Sequence, residues 1–206
     1  AAELDATAGA EFIAKVKMLS QVRVITHLRS RFSATPSTVA TRPIPGVNPP
    51  TTAPSDNQRI FAIVSSTGGP QALALILGLL PVNFPCPVLI SQHISDGFAP
   101  GMAQWLASIC KLPVCLAREG EMVIAGTVYI SPSEANLAVT PSHRITLAPR
   151  LPGEIYHPTC DVLLDSVAAV YGCQGIGIIL TGMGSDGARG IEKIRQAGGA
   201  TLAQDE

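Results

Sequence analysis

Three short segments carry side chains whose types fit hydrolytic chemistry. Ser65-Ser66-Thr67-Gly68-Gly69-Pro70 offers hydroxyls, Ser91-Gln92-His93 ends in an imidazole, and Thr181-Gly182-Met183-Gly184-Ser185-Asp186-Gly187 carries a carboxylate. A serine hydroxyl is a weak nucleophile alone. It needs a base to take its proton, and the base needs an acceptor that fixes its tautomer and stabilises the imidazolium. Ser66, His93 and Asp186 can fill those three roles. Gly68 and Gly69 let the main chain pass close to a substrate, and Pro70 suits the first position of a helix. The N-terminus of that helix would bring partial positive charge to a developing oxyanion. The backbone N–H groups of Thr67 and Met183 are the candidate oxyanion donors.

Each of these residues also has an ordinary structural use. Ser66 could cap the helix that follows it, and Asp186 could cap a helix beginning near Gly187, alone or together with an orienting role. A lone His93 could be a satisfied core histidine, and Met183 could serve only packing. His27, His143 and His157 read as structural. The order Ser, His, Asp along the chain and the absence of Gly-x-Ser-x-Gly exclude the nucleophile elbow of the α/β-hydrolases, but not the chemistry.

The elements that must position these groups follow from hydrophobic patterning. Apolar runs at Ile60–Val64, Pro87–Gln92, Val114–Ala117, Gly175–Leu180 and Ala200–Ala203 read as strands. Helical segments fall at Pro70–Leu80, Phe98–Cys110, Cys160–Tyr171 and Ala188–Gln196. Short runs at Thr127–Ile130, Asn136–Val139 and Ile145–Ala148, separated by turn residues, predict a small hairpin region. Strands alternating with helices predict a doubly wound α/β domain, with a mostly parallel sheet, helices on both faces and a small antiparallel hairpin. Ligands bind such sheets beyond the carboxyl ends of the strands, and all three reactive segments follow strands directly.

Upstream, residues 1–32 end in a predicted helix from 11 to 32, with Phe12, Val16, Leu19, Val22 and Ile25 near helical spacing. Its Lys15, Lys17, Arg23, Arg29 and Arg31 read as a solvated face, since the flanks are acidic or polar at Glu3, Asp5 and Glu11. Residues 33–58 form a Pro- and Thr-rich linker, punctuated by Pro36, Pro43, Pro45, Pro49, Pro50 and Pro54.

Composition sets the class. Of 206 residues, 47% are hydrophobic and 14% charged, which is globular and core-rich, with aromatics at only 4% leaving the core to Ala, Val, Ile and Leu. A net charge of -1 supplies no basic field for nucleic acid or an acidic membrane. No apolar run is long enough to predict membrane insertion, and the first ten residues lack the basic start of a signal peptide. Cys86, Cys110, Cys115, Cys160 and Cys173 are odd in number and form no Cys-x-x-Cys pair, so buried free thiols are expected and a metal site is not. No motif calls for a cofactor.

With these motifs in place, the chain resembles the catalytic domain of the chemotaxis protein-glutamate methylesterases, the CheB type. The likeness rests on Ser66-Thr67-Gly68-Gly69-Pro70, Ser91-Gln92-His93 with Gly97-Phe98, Gly126-Thr127-Val128-Tyr129-Ile130-Ser131-Pro132 and Leu180-Thr181-Gly182-Met183-Gly184-Ser185-Asp186-Gly187-Ala188. Asp161-Val162-Leu163 and Ala203-Gln204-Asp205-Glu206 are similar too, and the match spans roughly residues 59–206. The resemblance implies hydrolysis of glutamate γ-methyl esters on the cytoplasmic helices of methyl-accepting chemotaxis receptors, and deamidation of selected receptor glutamines. It further implies a cytoplasmic protein with an upstream receiver domain, phosphorylated by a histidine kinase, that lies outside this chain, with the helix at 11–32 as its junction.

The sequence departs from that family in places. Val64-Ser65 stands where the family more often has Gly-Ala; Ser66 holds the Ser-Thr-Gly-Gly register, with Ser65 as the fallback nucleophile. Tyr156-His157-Pro158-Thr159-Cys160 replaces the usual His-Arg-Pro-Ser-Val, and the family continues through a further loop and helix beyond Glu206, so the catalytic domain at 59–206 reads as C-terminally truncated. Two rival readings come from other classes. Gly182-x-Gly184-x-x-Gly187 satisfies the dinucleotide-binding pattern, with Asp205 and Glu206 about 20 residues on as ribose-binding acids. A non-enzymatic receptor-docking module would use a loop such as Ile94-Ser95-Asp96-Gly97.

Overall fold

The computed structural model describes residues 59–204. The predicted junction helix at 11–32, the linker at 33–58, His27, Asp205 and Glu206 lie outside the described residues. Among the described residues, eight strands and four α-helices follow in the order β1 (Ile60–Ser65), α1 (Gly69–Leu79), β2 (Val88–Gln92), α2 (Ala99–Ile109), β3 (Val114–Leu116), β4 (Val128–Ile130), β5 (Ala135–Val139), β6 (Ile145–Pro149), α3 (Cys160–Tyr171), β7 (Gly175–Ile179), α4 (Ala188–Gln196) and β8 (Ala200–Ala203).

Six strands pair in the order β3-β4-β2-β1-β7-β8, every ladder parallel, while β5 and β6 form a separate antiparallel pair. A strand covered on both faces must be apolar on both, and β1 is: Ile60, Ala62 and Val64 join one core layer with α3 and α4, while Ile63 joins the other with α1 and α2. The helices show the matching stripe. Leu73 and Leu77, one turn apart on α1, are fully buried, whereas Leu75 and Leu79 face outward. Burying each leucine stabilises the layer by about 2 kcal/mol.

The expected architecture is the observed one, with one reassignment. The run at Thr127–Ile130, expected in the hairpin region, instead inserts Val128–Ile130 as a parallel strand between β2 and β3. All three residues are buried. So short an apolar run carries no periodicity that separates the two placements.

The connection from β1 leads to β2 on one side and that from β7 leads to β8 on the other. The crevice between the carboxyl ends of β1 and β7 is therefore the switch point of the sheet, where ligands of such folds bind. Among the described residues, no helix is long and apolar enough to cross a membrane.

Candidate active site

The three reactive segments converge on that crevice. Ser66 leaves the end of β1, His93 the end of β2, and Asp186 sits in the turn between β7 and α4. All three line one cavity of about 80 Å³, together with Cys160, Thr181, Gly182, Met183 and Gly184. Ser66 and His93 also border a second, more open cavity of about 310 Å³ with Ile94, Ser95, Ile155, Tyr156 and His157.

Backbone pairing fixes the turn at Ser66. Ser66 N–H donates to Thr181 O at 3.0 Å, tying the end of β1 to the β7 loop, and Gly69 N–H donates to Ser66 O at 2.9 Å. Gly182 is required here, because a Cβ on it would stand 2.6 Å from Ser66 Cβ. Helix α1 is capped by Gly68 in a left-handed conformation, with no side-chain cap and no acid in its first turn. Ser66 is thus not spent as a cap, and the positive end of α1 stays uncompensated beside it. Ser66 Oγ makes no hydrogen bond to another described residue. Ser65, the fallback, is buried, and its hydroxyl donates to Gln92 Oε1 at 2.6 Å.

His93 and Asp186 are joined directly, Nε2 to Oδ2 at 2.7 Å. Asp186 does not cap the helix that follows it, whose N-cap is Gly187. It caps α3 instead: Oδ2 accepts from Cys160 N–H at 2.7 Å and Oδ1 from Asp161 N–H at 3.1 Å. Burial raises the Asp186 pKa, but the hydrogen bonds from His93, Cys160 and Asp161 outweigh it and hold the carboxyl below its ordinary range. An ionised carboxylate only accepts, so the neutral imidazole carries its hydrogen on Nε2 and keeps a lone pair on Nδ1. Tyr156 stacks on the ring, centroids 4.9 Å apart and planes 16° from parallel, which restrains its orientation.

Sequence reasoning missed several supporting residues. Gln92 is buried and donates from Nε2 to the main-chain oxygens of Ser66 at 2.8 Å and His93 at 2.9 Å. An amide closing an apolar strand run was the available signal. Cys160 Sγ lies 3.2 Å from His93 Nε2, a contact that no sequence spacing foretells. The thiol is buried, and burial followed by the nearby Asp186 charge raises its pKa, so it stays protonated. The ligand atoms of His93, Cys160 and Asp186 lie within 4.8 Å of one another, but they are committed to each other and to the α3 N-terminus. Of the other cysteines, Cys86, Cys110 and Cys115 are half-buried and Cys173 is exposed, so only Cys160 matches the expected buried thiol. The chain reaches half-burial there because these residues sit at the ends and edges of elements.

His143 packs edge-on against Tyr171 at 5.0 Å, as a structural residue would, whereas His157 borders the open cavity beside His93. The dinucleotide reading finds no support. The close approach at Gly182 is taken by Ser66, and Asp186 places a carboxylate where a pyrophosphate would lie. Asp96, in the loop suggested for docking, is paired with Arg150.

Known proteins resemble this arrangement. Residues 61–206 match the family model described as CheB methylesterase. A protein-glutamate methylesterase/protein-glutamine glutaminase of Paramagnetospirillum magneticum is 51% identical over 203 residues, covering 95% of this chain and 55% of that protein. The protein-glutamate methylesterase FrzG of Myxococcus xanthus is 42% identical over 194 residues, covering 93% of this chain and 54% of that protein. The crystal structure of the Thermotoga maritima CheB methylesterase catalytic domain aligns with a TM-score of 0.70 at 38% identity, covering 72% of this chain and 80% of that one. The chain spans about half the length of the curated relatives it matches.

Proposed function

Since the chain belongs to the CheB methylesterase family, we propose that it hydrolyses γ-methyl esters of glutamate side chains on the cytoplasmic helices of chemoreceptors, with Ser66 as nucleophile, His93 as base and Asp186 as orienting acid. The observation that carries the reading is the bonded His93–Asp186 pair on the wall of the cavity that also presents Ser66. The small size of that cavity suits one ester group better than a large ligand.

Chemically, Ser66 Oγ attacks the ester carbonyl while its proton passes to His93 Nδ1. The ionised Asp186 stabilises the imidazolium through Nε2–H. The tetrahedral oxyanion receives N–H groups from Thr67 and Met183, which donate to no described acceptor, and the positive end of α1. Collapse expels the methoxy group, which leaves as methanol with the proton from His93. Water activated by the same imidazole then attacks the acyl-serine and releases a glutamate carboxylate. Attack on a glutamine side chain by the same route would release ammonia, the deamidation implied by the relatives' glutaminase name.

In the same reading, residues 1–32 and 33–58 connect the catalytic domain to a receiver domain phosphorylated by a histidine kinase. The relative from Paramagnetospirillum magneticum aligns over 95% of this chain, so it shares residues upstream of the catalytic segment. The test is release of labelled methanol when the protein meets receptor fragments carrying methyl-labelled glutamate esters. Steady release is expected; label that stays on the receptor at stoichiometric enzyme contradicts the reading.

A further inference from the structure

Two aspartates exchange helix termini beside the proposed base. Asp186, from the turn before α4, accepts from the first N–H groups of α3, at Cys160 and Asp161. Asp161, from the first turn of α3, accepts through Oδ1 from the first N–H groups of α4, at Gly187 (3.1 Å) and Gly190 (2.7 Å). Neither helix has a side-chain cap from its own N-cap residue, so each depends on the other's aspartate for donors that would otherwise be orphaned. The helices can approach this closely because Gly190 lacks a Cβ, which would stand 2.5 Å from Leu164 Cβ.

This exchange constrains the catalytic geometry. Gly187 adjoins Asp186, so the bond from its N–H to Asp161 fixes the backbone from which the Asp186 carboxylate projects. The N–H of Asp161 also donates to that carboxylate. Among the described residues, the second oxygen of Asp161 meets Arg189 alone, at 3.4 Å, and that side chain is largely exposed. The acceptor at Oδ1, rather than the ion pair, is therefore the part of Asp161 that matters.

We propose that Asp161 is a positioning residue for the hydrolysis, holding the 186–190 turn so that the Asp186 carboxylate meets His93 Nε2. The proposal rests on the esterase reading of the site.

The test compares the unaltered protein with Asp161→Ala, Asp161→Asn, Asp161→Glu and Arg189→Ala. Two quantities are read: kcat and KM for methanol release, and the downfield proton resonance of His93 Nε2–H. Asp161→Ala should lower kcat roughly 10- to 100-fold, as loss of a supporting hydrogen-bond partner does at other sites, and should move the resonance. KM should change by no more than about twofold, since substrate contacts are intact. Asp161→Asn keeps an oxygen that accepts from both N–H groups and should restore kcat and resonance together, and Arg189→Ala should leave both alone. Asp161→Glu keeps the charge but displaces it, so it should resemble Asp161→Ala and decides the matter if the alanine variant does not fold. A folded Asp161→Ala or Asp161→Glu with unaltered kcat and resonance overturns the proposal, as does Asp161→Asn impaired to the level of alanine. Absence of methanol release from the unaltered protein would refute the esterase reading instead, and the resonance alone would then judge Asp161.

Discussion

The Gln92 amide nitrogen lies 2.8 Å from the main-chain oxygen of Ser66 and 2.9 Å from that of His93, so one buried side chain ties the turn at Ser66 to the end of β2 at His93. Its oxygen accepts from Ser65, which completes the set. Gln92→Leu should leave the His93 carbonyl and the Ser65 hydroxyl without their partner, while the Ser66 carbonyl keeps Gly69 N–H, costing about 1–3 kcal/mol for each group left buried and unsatisfied. Thermal unfolding and methanol release should both decline. A variant as stable and active as the unaltered protein would show that the amide is not what joins the two segments.

Gly182 tests the packing under the nucleophile. A methyl group there meets Ser66 Cβ at 2.6 Å, so Gly182→Ala must push Ser66 or the β7 loop aside. Misplacing a reacting group by ~1 Å costs on the order of 10²-fold in rate. The expectation is a loss of that order in kcat with the fold retained by circular dichroism; unaltered kcat would mean the turn yields freely.

The acid side of the stability profile should carry a contribution from Asp186. Its folded pKa is depressed, so its stabilisation is full above the unfolded value of about 3.9 and is lost as pH falls through the lower folded value. Asp186→Asn removes this titration. Denaturant unfolding from pH 6 down to pH 2 should therefore show a shallower fall for the variant. Parallel profiles would contradict the depressed pKa. The same variant should lose activity by on the order of 10⁴-fold, because an amide can stabilise the wrong imidazole tautomer.

Much of this was legible in the sequence. The three reactive segments each follow a continuous apolar run, and continuous runs mark strands buried on both faces, so their meeting at one sheet edge followed from topology. What stayed hidden depends on contacts between segments distant along the chain. The placement of β4 turned on three apolar residues with no readable period. Beside its orienting role, Asp186 offers itself in the sequence as a cap for its own helix, because N-cap preference is local, whereas the structure sends its carboxylate across to α3. The reciprocal use of Asp161 and the nearness of Cys160 to His93 arise from helix packing that no spacing encodes.

Thiol accessibility offers an independent check on the core beneath the site. Cys160 is buried with its thiol held protonated, while Cys173 is exposed. Alkylation of the native protein followed by mass spectrometry should modify Cys173 well before Cys160. Early labelling of Cys160 would mean that His93 and Asp186 sit in a looser environment than their hydrogen bonds imply.

In the proposed reaction, Ser66 attacks the ester. The decisive measurement is methanol release from methylated receptor fragments, for the unaltered protein beside Ser66→Ala and Ser65→Ala. Ser66→Ala should lose on the order of 10³-fold or more in rate, while Ser65→Ala retains measurable turnover. Undiminished release by Ser66→Ala, or loss confined to Ser65→Ala, would contradict attack by Ser66.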